Sequence, residues 1–292
     1  ERLIQRATPI GVAHRDVERG DVGNAPVAAA TPGAALVVPP PITYRPHLDP
    51  QLVITGALSN PQLERVCYAG QRHSQRLTTG ARAAYVLGDG TGFGKGRALA
   101  GMIIDNYNQE RRRTLWLSIS NQLLESTRRD LKDLNASHIA LNQLNDWEVN
   151  EDLSFGNGVI FCSYNTLIAK SKISSKTRMQ QLIDWLGDDG LVIFDECQRA
   201  QHALATAQGE ATQTGTAVLD LQDHAARPNL RFVYSSATSV VEVEHMCYMD
   251  RLGLWGPGTS FPSGFKEFMS EIEAGGLGAL EMVTRSMKAF GM

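Results

Sequence analysis

The chain has 292 residues, of which 42% are hydrophobic and 20% charged, so it can bury a sizeable core and is neither disordered nor fibrous. Its formal net charge of −3 gives a nucleic-acid partner no support, although a local basic groove is compatible with it. The four cysteines are far apart and form no CxxC pair, which favours reduced thiols over a disulfide frame or zinc site. Because no apolar run reaches membrane-spanning length and no signal-peptide core is present, we expect an intracellular protein, cytoplasmic or nucleoid/nuclear, without a membrane partner.

The first residues differ in texture from the rest of the chain. The stretch "NAPVAAATPGAALVVPPPI" is rich in alanine, proline and glycine and has no sustained period. This composition predicts an extended or flexible arm over residues 1–45 and a single globular domain over residues 46–292.

Short apolar runs alternate with helical patterns from about residue 52 onward. A helix is expected to start at Ser59 or Asn60, with Pro61 in its first turn. Continuous apolar runs are typical of strands covered on both faces. The predicted strands are 83–88, 114–120, 158–164, 191–196 and 231–238, and the predicted helices between them include 95–110, 121–134 and 176–187. This alternation predicts an α/β fold with a doubly wound, mostly parallel sheet.

The stretch "GDGTGFGKGR", residues 88–97, lies between a predicted strand and a predicted helix. A strand, a glycine loop and a helix with lysine at the turn form a phosphate cradle, built from backbone N–H groups and the helix N-terminus. The predicted cradle consists of Gly90, Thr91, Gly92, Phe93, Gly94, Lys95, Gly96 and Arg97. The alternatives are a tight turn without ligand and a dinucleotide site, but the second strand closes on Ser118 and Ser120 rather than on an acid.

Two positions of the glycine stretch depart from the usual phosphate-loop pattern. Asp89 stands where the pattern has glycine, and Gly96 stands where it has serine or threonine. The missing hydroxyl normally binds Mg²⁺. We therefore expect the metal to be held through water, by a nearby group such as Thr91, or weakly.

An acidic pair follows the later strand "LVIF". Asp195 at the carboxyl end of this strand is predicted to hold Mg²⁺ through water, and Glu196 to activate the attacking water. A capped acidic turn is the alternative. A further strand ends in Ser236 and Thr238, hydroxyls placed where a motor domain senses phosphate.

Together, "GTGFGKG", "DECQ" and "SAT" resemble the first RecA-like domain of superfamily-two helicases and translocases. The match narrows with "GDGTGFGKGRALAGMIIDNY", "LVIFDECQRAQ" and "YSSATSVVEVEHMCYMDRLGLWGPGTSF", which are similar to the N-terminal ATPase domain of the strawberry notch family. This resemblance runs from about residue 40 to the end and includes the Gly96-Arg97 pair, which is the form that family uses.

The resemblance implies further site residues. Gln62 stands where such helicases place an adenine-reading glutamine, with an exposed helix residue as the alternative. Gln198 stands where the family has histidine; it can hydrogen-bond but cannot titrate, which affects the coupling of hydrolysis to motion. Nucleic-acid contacts are implied for Ser118, Asn121, Tyr164 and Thr166, and Lys170, Lys172, Lys176 and Arg178 can add charge, with a solvated loop as the alternative.

The implied function is Mg²⁺-dependent binding and hydrolysis of ATP by the first motor domain of a nucleic-acid translocase. The track is DNA or RNA, with DNA slightly favoured, and a second RecA-like domain, in cis or in trans, is expected to supply arginine fingers. The alternative is a nucleotide-binding interaction module with little turnover. A P-loop kinase lacks a recognisable acceptor site.

Overall fold

A computed structural model describes residues 37–88, 92, 94–120, 123–170, 175, 177–197, 212–236 and 246–292. Its centre is one six-stranded sheet with the order β1-β6-β5-β2-β4-β3, in which every pairing is parallel. The strands are β1 (Tyr85–Leu87), β2 (Arg113–Ser118), β3 (Leu141–Gln143), β4 (Gly158–Ser163), β5 (Leu191–Asp195) and β6 (Arg231–Ser235). The predicted α/β fold with a parallel sheet is confirmed, and β3 is an additional strand at one edge.

Helices cover both faces of this sheet, as a doubly wound fold requires. The helices are α1 (Gln51–Ile54), α2 (Asn60–Ser74), α3 (Lys95–Asn108), α4 (Leu124–Asp133), α5 (Arg178–Leu186), α6 (Gln213–Leu221) and α7 (Phe265–Ala289). Residues of α2, α3 and α4 share one core with Trp116 and Ile193, whereas residues of α5, α6 and α7 share the other core with Leu115 and Val192. Successive strand residues therefore face opposite layers.

The start of α2 shows how local sequence fixes this layer. Ser59 is the N-cap: its hydroxyl accepts from the Gln62 backbone N–H, and the Gln62 side chain accepts from the Ser59 N–H. Pro61 occupies the first turn, where its missing N–H has no partner to lose. Gln62 is thus part of a reciprocal capping box, and the same side chain also reaches the glycine loop.

The carboxyl ends of five strands, β1, β2, β4, β5 and β6, lie along one edge of the sheet, which we call the carboxyl edge. The register pairs Asp195 at the end of β5 with Ser235 of β6, and Ser235 with Leu87 of β1. On the other side, Ser118 at the end of β2 pairs with Ser163 of β4. Polar residues that end these strands are thereby gathered over the buried apolar runs that precede them.

Residues 37–49 form no helix or strand, and several of them contact the domain. The Pro40 carbonyl accepts a hydrogen bond of 2.9 Å from the Tyr68 hydroxyl. Asp105 accepts from the Tyr44 hydroxyl at 2.7 Å and from the His47 backbone N–H at 2.6 Å. This segment is thus bonded to α2 and α3, and the predicted arm boundary at residue 45 stays a prediction.

The last helix contains a kink at a glycine. The glycine-rich stretch 274–279 lies inside α7, and Gly276, with φ of 55°, kinks the helix there. Glycine takes this left-handed conformation without steric penalty, so the helix continues on both sides of it. Within the described ranges, no helix combines the length and the apolar character needed to cross a bilayer.

Candidate functional site

The glycine loop joins β1 to α3 at the carboxyl edge. Gly92 has φ of 91° and Gly94, the N-cap of α3, has φ of 71°, so both occupy backbone conformations that favour glycine. Lys95 is the first residue of α3, at the positive end of a 14-residue helix. Such a helix start favours an anion. Gly90, Thr91 and Phe93, also predicted for the cradle, lie outside the described residues.

Gln62 connects α2 with this loop. Its side-chain Nε2 donates to the Gly94 carbonyl at 3.3 Å while its Oε1 caps α2. A Cβ placed on Gly94 would lie less than 3.0 Å from Gln62 Nε2, which is closer than real Cβ contacts come. Gln62 is therefore a half-buried neighbour of the loop and not a solvated helix residue; its contact with adenine stays a prediction.

A side chain at position 96 would require Asp130 to move. A Cβ at this position would lie within 3.0 Å of Asp130 Oδ2, on the neighbouring helix α4. Arg97 fixes α4 there: its Nε donates to Asp130 Oδ1 at 3.4 Å, its Nη2 to Asp133 at 2.5 Å and its Nη1 to the Ala57 carbonyl. Burial raises the pKa of Asp130, and Arg97 opposes this shift.

Asp130 was not found from the sequence. Its helix carries acids and arginines in the pattern of a solvated face, and only the packing of α4 on α3 brings one carboxylate against Gly96. The one available signal was the arginine that follows the missing hydroxyl, because a buried arginine needs acidic partners.

Asp195 is held by both neighbouring strands. Its Oδ1 accepts from the Ser235 hydroxyl and from the Glu196 backbone N–H, each at 3.1 Å, and its Oδ2 accepts from the Ser118 hydroxyl at 3.4 Å. Burial raises the pKa of Asp195, and the Ser235 hydrogen bond opposes this shift. Ser235 was missed in favour of Ser236, because which serine faces Asp195 depends on the register between β5 and β6.

Glu196 has an unusual backbone. Its φ of 49° lies in the left-handed region, which costs a residue with a Cβ about 1–2 kcal/mol. Strain of this kind clusters at functional sites, where surrounding structure maintains it. The turn also directs the Glu196 N–H to Asp195, so the two acids of the predicted pair are fixed relative to one another.

The residues predicted for nucleic-acid contact occupy different environments. Ser118 is fully buried against Asp195, and Tyr164 is buried with its hydroxyl donating to the Asp195 backbone carbonyl at 2.9 Å. Thr166 is half-buried and exchanges a hydrogen bond with Ser163. Two of the predicted contacts therefore touch the Asp195 region in this structure, and their binding to nucleic acid stays a prediction.

The predicted basic residues are also divided. Lys170 is exposed. Arg178, in contrast, is 6% exposed and donates to the Trp147 carbonyl at 2.6 Å, so its charge is used inside the domain. Ser236 is buried after β6, and its N–H donates to the Leu87 carbonyl. The remaining predicted positions lie outside the described residues: Asn121, Lys172, Lys176, Gln198 and Thr238.

The oxygen atoms at the carboxyl edge fit a magnesium ion. Mg²⁺ is usually bound through one or two carboxylates and the phosphates of a substrate, and keeps several waters. Asp195 provides such a carboxylate at the end of β5. Among the described residues, no cluster of three or more histidines, cysteines or acids is present, and this mode of binding does not require one.

Fold and site together define a RecA-like P-loop NTPase core. The SWI2/SNF2 ATPase core of Sulfolobus solfataricus in complex with dsDNA has a similar fold, with a TM-score of 0.56 and 17% identity over 84% of this chain and 44% of that chain. The SWI2/SNF2 ATPase core domain from the same organism gives a TM-score of 0.51 and 15% identity over 80% of this chain and 42% of that chain. At this identity the likeness shows the fold alone.

The chain belongs to the family described as "P-loop containing NTP hydrolase pore-1", which matches residues 26–292. It is 42% identical over 271 residues to Protein strawberry notch homolog 1 of Rattus norvegicus and 44% identical over 268 residues to Protein FORGETTER 1 of Arabidopsis thaliana. Each match covers 90% of this chain but only 21% and 20% of those relatives, so the chain spans about a fifth of their length. The predicted strawberry notch resemblance is confirmed.

Proposed function

We propose that this domain binds ATP with Mg²⁺ and hydrolyses it as the first motor domain of an intracellular, helicase-like nucleic-acid translocase. One observation carries the proposal: the left-handed glycine loop before Lys95 and the carboxylate of Asp195 lie at the same edge of one parallel sheet. In open α/β sheets, ligands bind at the carboxyl ends of the strands.

The loop and the start of α3 hold the phosphates in this proposal. Gly92 and Gly94 leave the backbone bare and exposed, so loop amides can approach an anion closely. Lys95 adds a point charge at the helix N-terminus. Gln62, bonded to the Gly94 carbonyl, would contact the base from the side of α2 in this proposal.

Asp195 and Glu196 carry the chemistry. When bound, Mg²⁺ would supply positive charge that offsets the negative charge developing during phosphoryl transfer. Asp195 would hold the ion, directly or through water, with its carboxylate oriented by Ser235 and Ser118. Glu196 would orient and deprotonate the attacking water. Ser236 and Thr238, after β6, are proposed to respond to the state of the phosphates.

Contacts between Asp195 and the predicted nucleic-acid segments favour a motor over a passive module. Ser118 and Tyr164 belong to the two segments predicted to contact nucleic acid, and both donate hydrogen bonds to Asp195. Movement of either segment would therefore disturb Asp195, at its carboxylate through Ser118 and at its backbone carbonyl through Tyr164. A structure of the same fold was solved in complex with dsDNA, which supports DNA as the track.

Binding of ATP is the first test. We would titrate ATP into the chain by calorimetry, with Mg²⁺ and with EDTA, and repeat both titrations with Lys95→Ala. Micromolar binding that the variant loses is expected, because the variant removes the cationic side chain at the helix start. Equal and negligible binding in both proteins would refute the nucleotide site.

Turnover is tested in a longer protein that includes the expected second RecA-like domain. An arginine finger supplies about 10³–10⁵ in rate in related enzymes, so hydrolysis by this chain alone is expected to be slow. Stimulation of ATP hydrolysis by DNA or RNA would support a translocase. Tight ATP binding with no stimulated turnover would instead favour a nucleotide-binding interaction module.

A further inference from the structure

The packing around Gly96 leaves one carboxylate oxygen turned toward the phosphate loop. Asp130 Oδ2 lies in the space that a serine or threonine side chain at position 96 would occupy. Among the described residues, the hydrogen bond to this carboxylate comes from Arg97 and goes to the other oxygen, Oδ1. The Asp130 side chain is 15% exposed, so its carboxylate as a whole is largely withdrawn from bulk water.

Arg97 holds the Asp130 carboxylate in position, and Arg97 is itself held by other hydrogen bonds. Arg97, the next residue of α3, pairs with Asp130 and with Asp133, one turn further along α4. Arg97 also donates to the Ala57 carbonyl at 2.9 Å, which restricts the guanidinium itself. The Asp130 carboxylate thus occupies the space that the missing side chain at position 96 leaves open.

We propose that Asp130 replaces the serine or threonine of ordinary phosphate loops as the oxygen that holds Mg²⁺, or a water bound to it, beside Lys95. This inference rests on the proposed function. The hydroxyl at that position is an Mg²⁺ ligand in P-loop NTPases. A carboxylate is an equally suitable hard oxygen donor, so the chemistry of the ligand is kept although its residue number changes.

Arg97 makes a purely structural role for Asp130 the rival explanation. A partly buried arginine needs anionic partners, and Asp130 and Asp133 would both serve this need. The two acids differ in one respect: Asp130 meets Gly96, whereas Asp133 pairs with Arg97 on the exposed side of α4. Asp133 is therefore the matched control.

The experiment measures how much Mg²⁺ strengthens nucleotide binding. Calorimetry with a non-hydrolysable ATP analogue gives the dissociation constant with Mg²⁺ and with EDTA for wild type, Asp130→Asn and Asp133→Asn. Binding of Mn²⁺ in the presence of ADP, followed by electron paramagnetic resonance, gives metal affinity directly. We expect Asp130→Asn to lower metal affinity about 10- to 100-fold with its EDTA value unchanged, and Asp133→Asn to match wild type.

A second pair of variants restores the ordinary arrangement. Gly96→Ser alone places a side chain against Asp130 and should weaken Mg²⁺-dependent binding. In the double variant Gly96→Ser with Asp130→Ala, the serine hydroxyl has space and can bind the metal in place of the carboxylate. Metal affinity is expected to recover relative to Asp130→Ala alone.

The possible outcomes separate this inference from the proposed function. Wild-type binding that depends on Mg²⁺, with an unchanged dependence in Asp130→Asn, would overturn the role of Asp130 and leave the ATP site intact. A lower melting temperature with normal metal affinity would show that Asp130 only supports Arg97 and would equally overturn it. Wild-type protein that binds no nucleotide would overturn both.

Discussion

Replacing Gly94 by alanine should weaken ATP binding because the loop would lose the conformation that it has before α3. Gly94 has φ of 71°, and a left-handed alanine costs about 1–2 kcal/mol. The new Cβ would also displace Gln62 Nε2 from the Gly94 carbonyl, and a typical hydrogen bond contributes about 1 kcal/mol. The sum, about 2–3 kcal/mol, corresponds to a roughly 30- to 140-fold weaker dissociation constant.

This strain is expected to weaken ATP binding without lowering the stability of the fold. Gly94 is exposed, so the loop of the variant can relax in the free protein and must return to its left-handed conformation to enclose a phosphate. Calorimetric titration of ATP with Mg²⁺ measures the loss, and the melting temperature checks that the domain remains folded.

Gly92 provides the matched control. Its φ is 91°, yet a Cβ there would meet no atom within 4 Å, so Gly92→Ala adds backbone strain without the contact to Gln62. A smaller loss, of about 1–2 kcal/mol, is therefore expected. A double-mutant cycle of Gly94→Ala with Gln62→Ala should show coupling of about 1 kcal/mol. Gly94→Ala protein that binds ATP within twofold of wild type would refute this reasoning.

Three further predictions concern buried groups. Burial lowers the pKa of His73 to about 3. Because His73 in the unfolded chain takes up a proton near pH 6.5, its contribution to the free energy of unfolding is complete above that pH and falls by up to about 1.4 kcal/mol per pH unit as the pH drops toward 3. Urea unfolding at pH 7 and pH 5 should show that His73→Gln removes this part of the pH dependence. Tyr164→Phe leaves the Asp195 carbonyl without its 2.9 Å donor and should lower the free energy of unfolding by about 1 kcal/mol, whereas an unchanged urea midpoint would contradict the role of this bond. All four cysteines are buried, and burial raises the pKa of Cys67, Cys162 and Cys197 to about 12, so a thiol reagent should label the native protein far more slowly than the denatured protein.

Most of the sheet could be predicted because buried parallel strands leave a strong local signal. Five strands are continuous apolar runs, and β5 is covered on both faces without a single exposed residue before Asp195. The strand Leu141–Gln143 carries no such signal, since it has three residues, of which only Leu141 is buried. It becomes a strand through its pairing with β4, a contact that the local sequence does not encode.

The site shows the same division between local and spatial information. Lys95 comes after the glycine loop that follows one predicted strand, and Asp195 lies at the end of another, so chain order brings both to the carboxyl edge. Ser235 and Asp130 depend on register and helix packing, respectively, which a single sequence does not give. Ser118 also depends on its spatial neighbours: it is fully buried and its hydroxyl donates to Asp195, while its predicted contact with nucleic acid stays a prediction.

Several hydrogen bonds at the carboxyl edge converge on Asp195. Its carboxylate receives hydroxyl hydrogen bonds from Ser235 on one neighbouring strand and from Ser118 on the other. Its carbonyl receives the hydroxyl of Tyr164, which follows β4. Hydrogen bonds from residues in or just after β2, β4 and β6 thus converge on one residue of β5, and in a partly buried network such bonds polarise and strengthen one another. A domain that only stored a nucleotide would not need hydrogen bonds from both predicted nucleic-acid segments to the residue proposed to hold its metal, whereas the proposed motor needs such a connection to relate nucleotide state to its track.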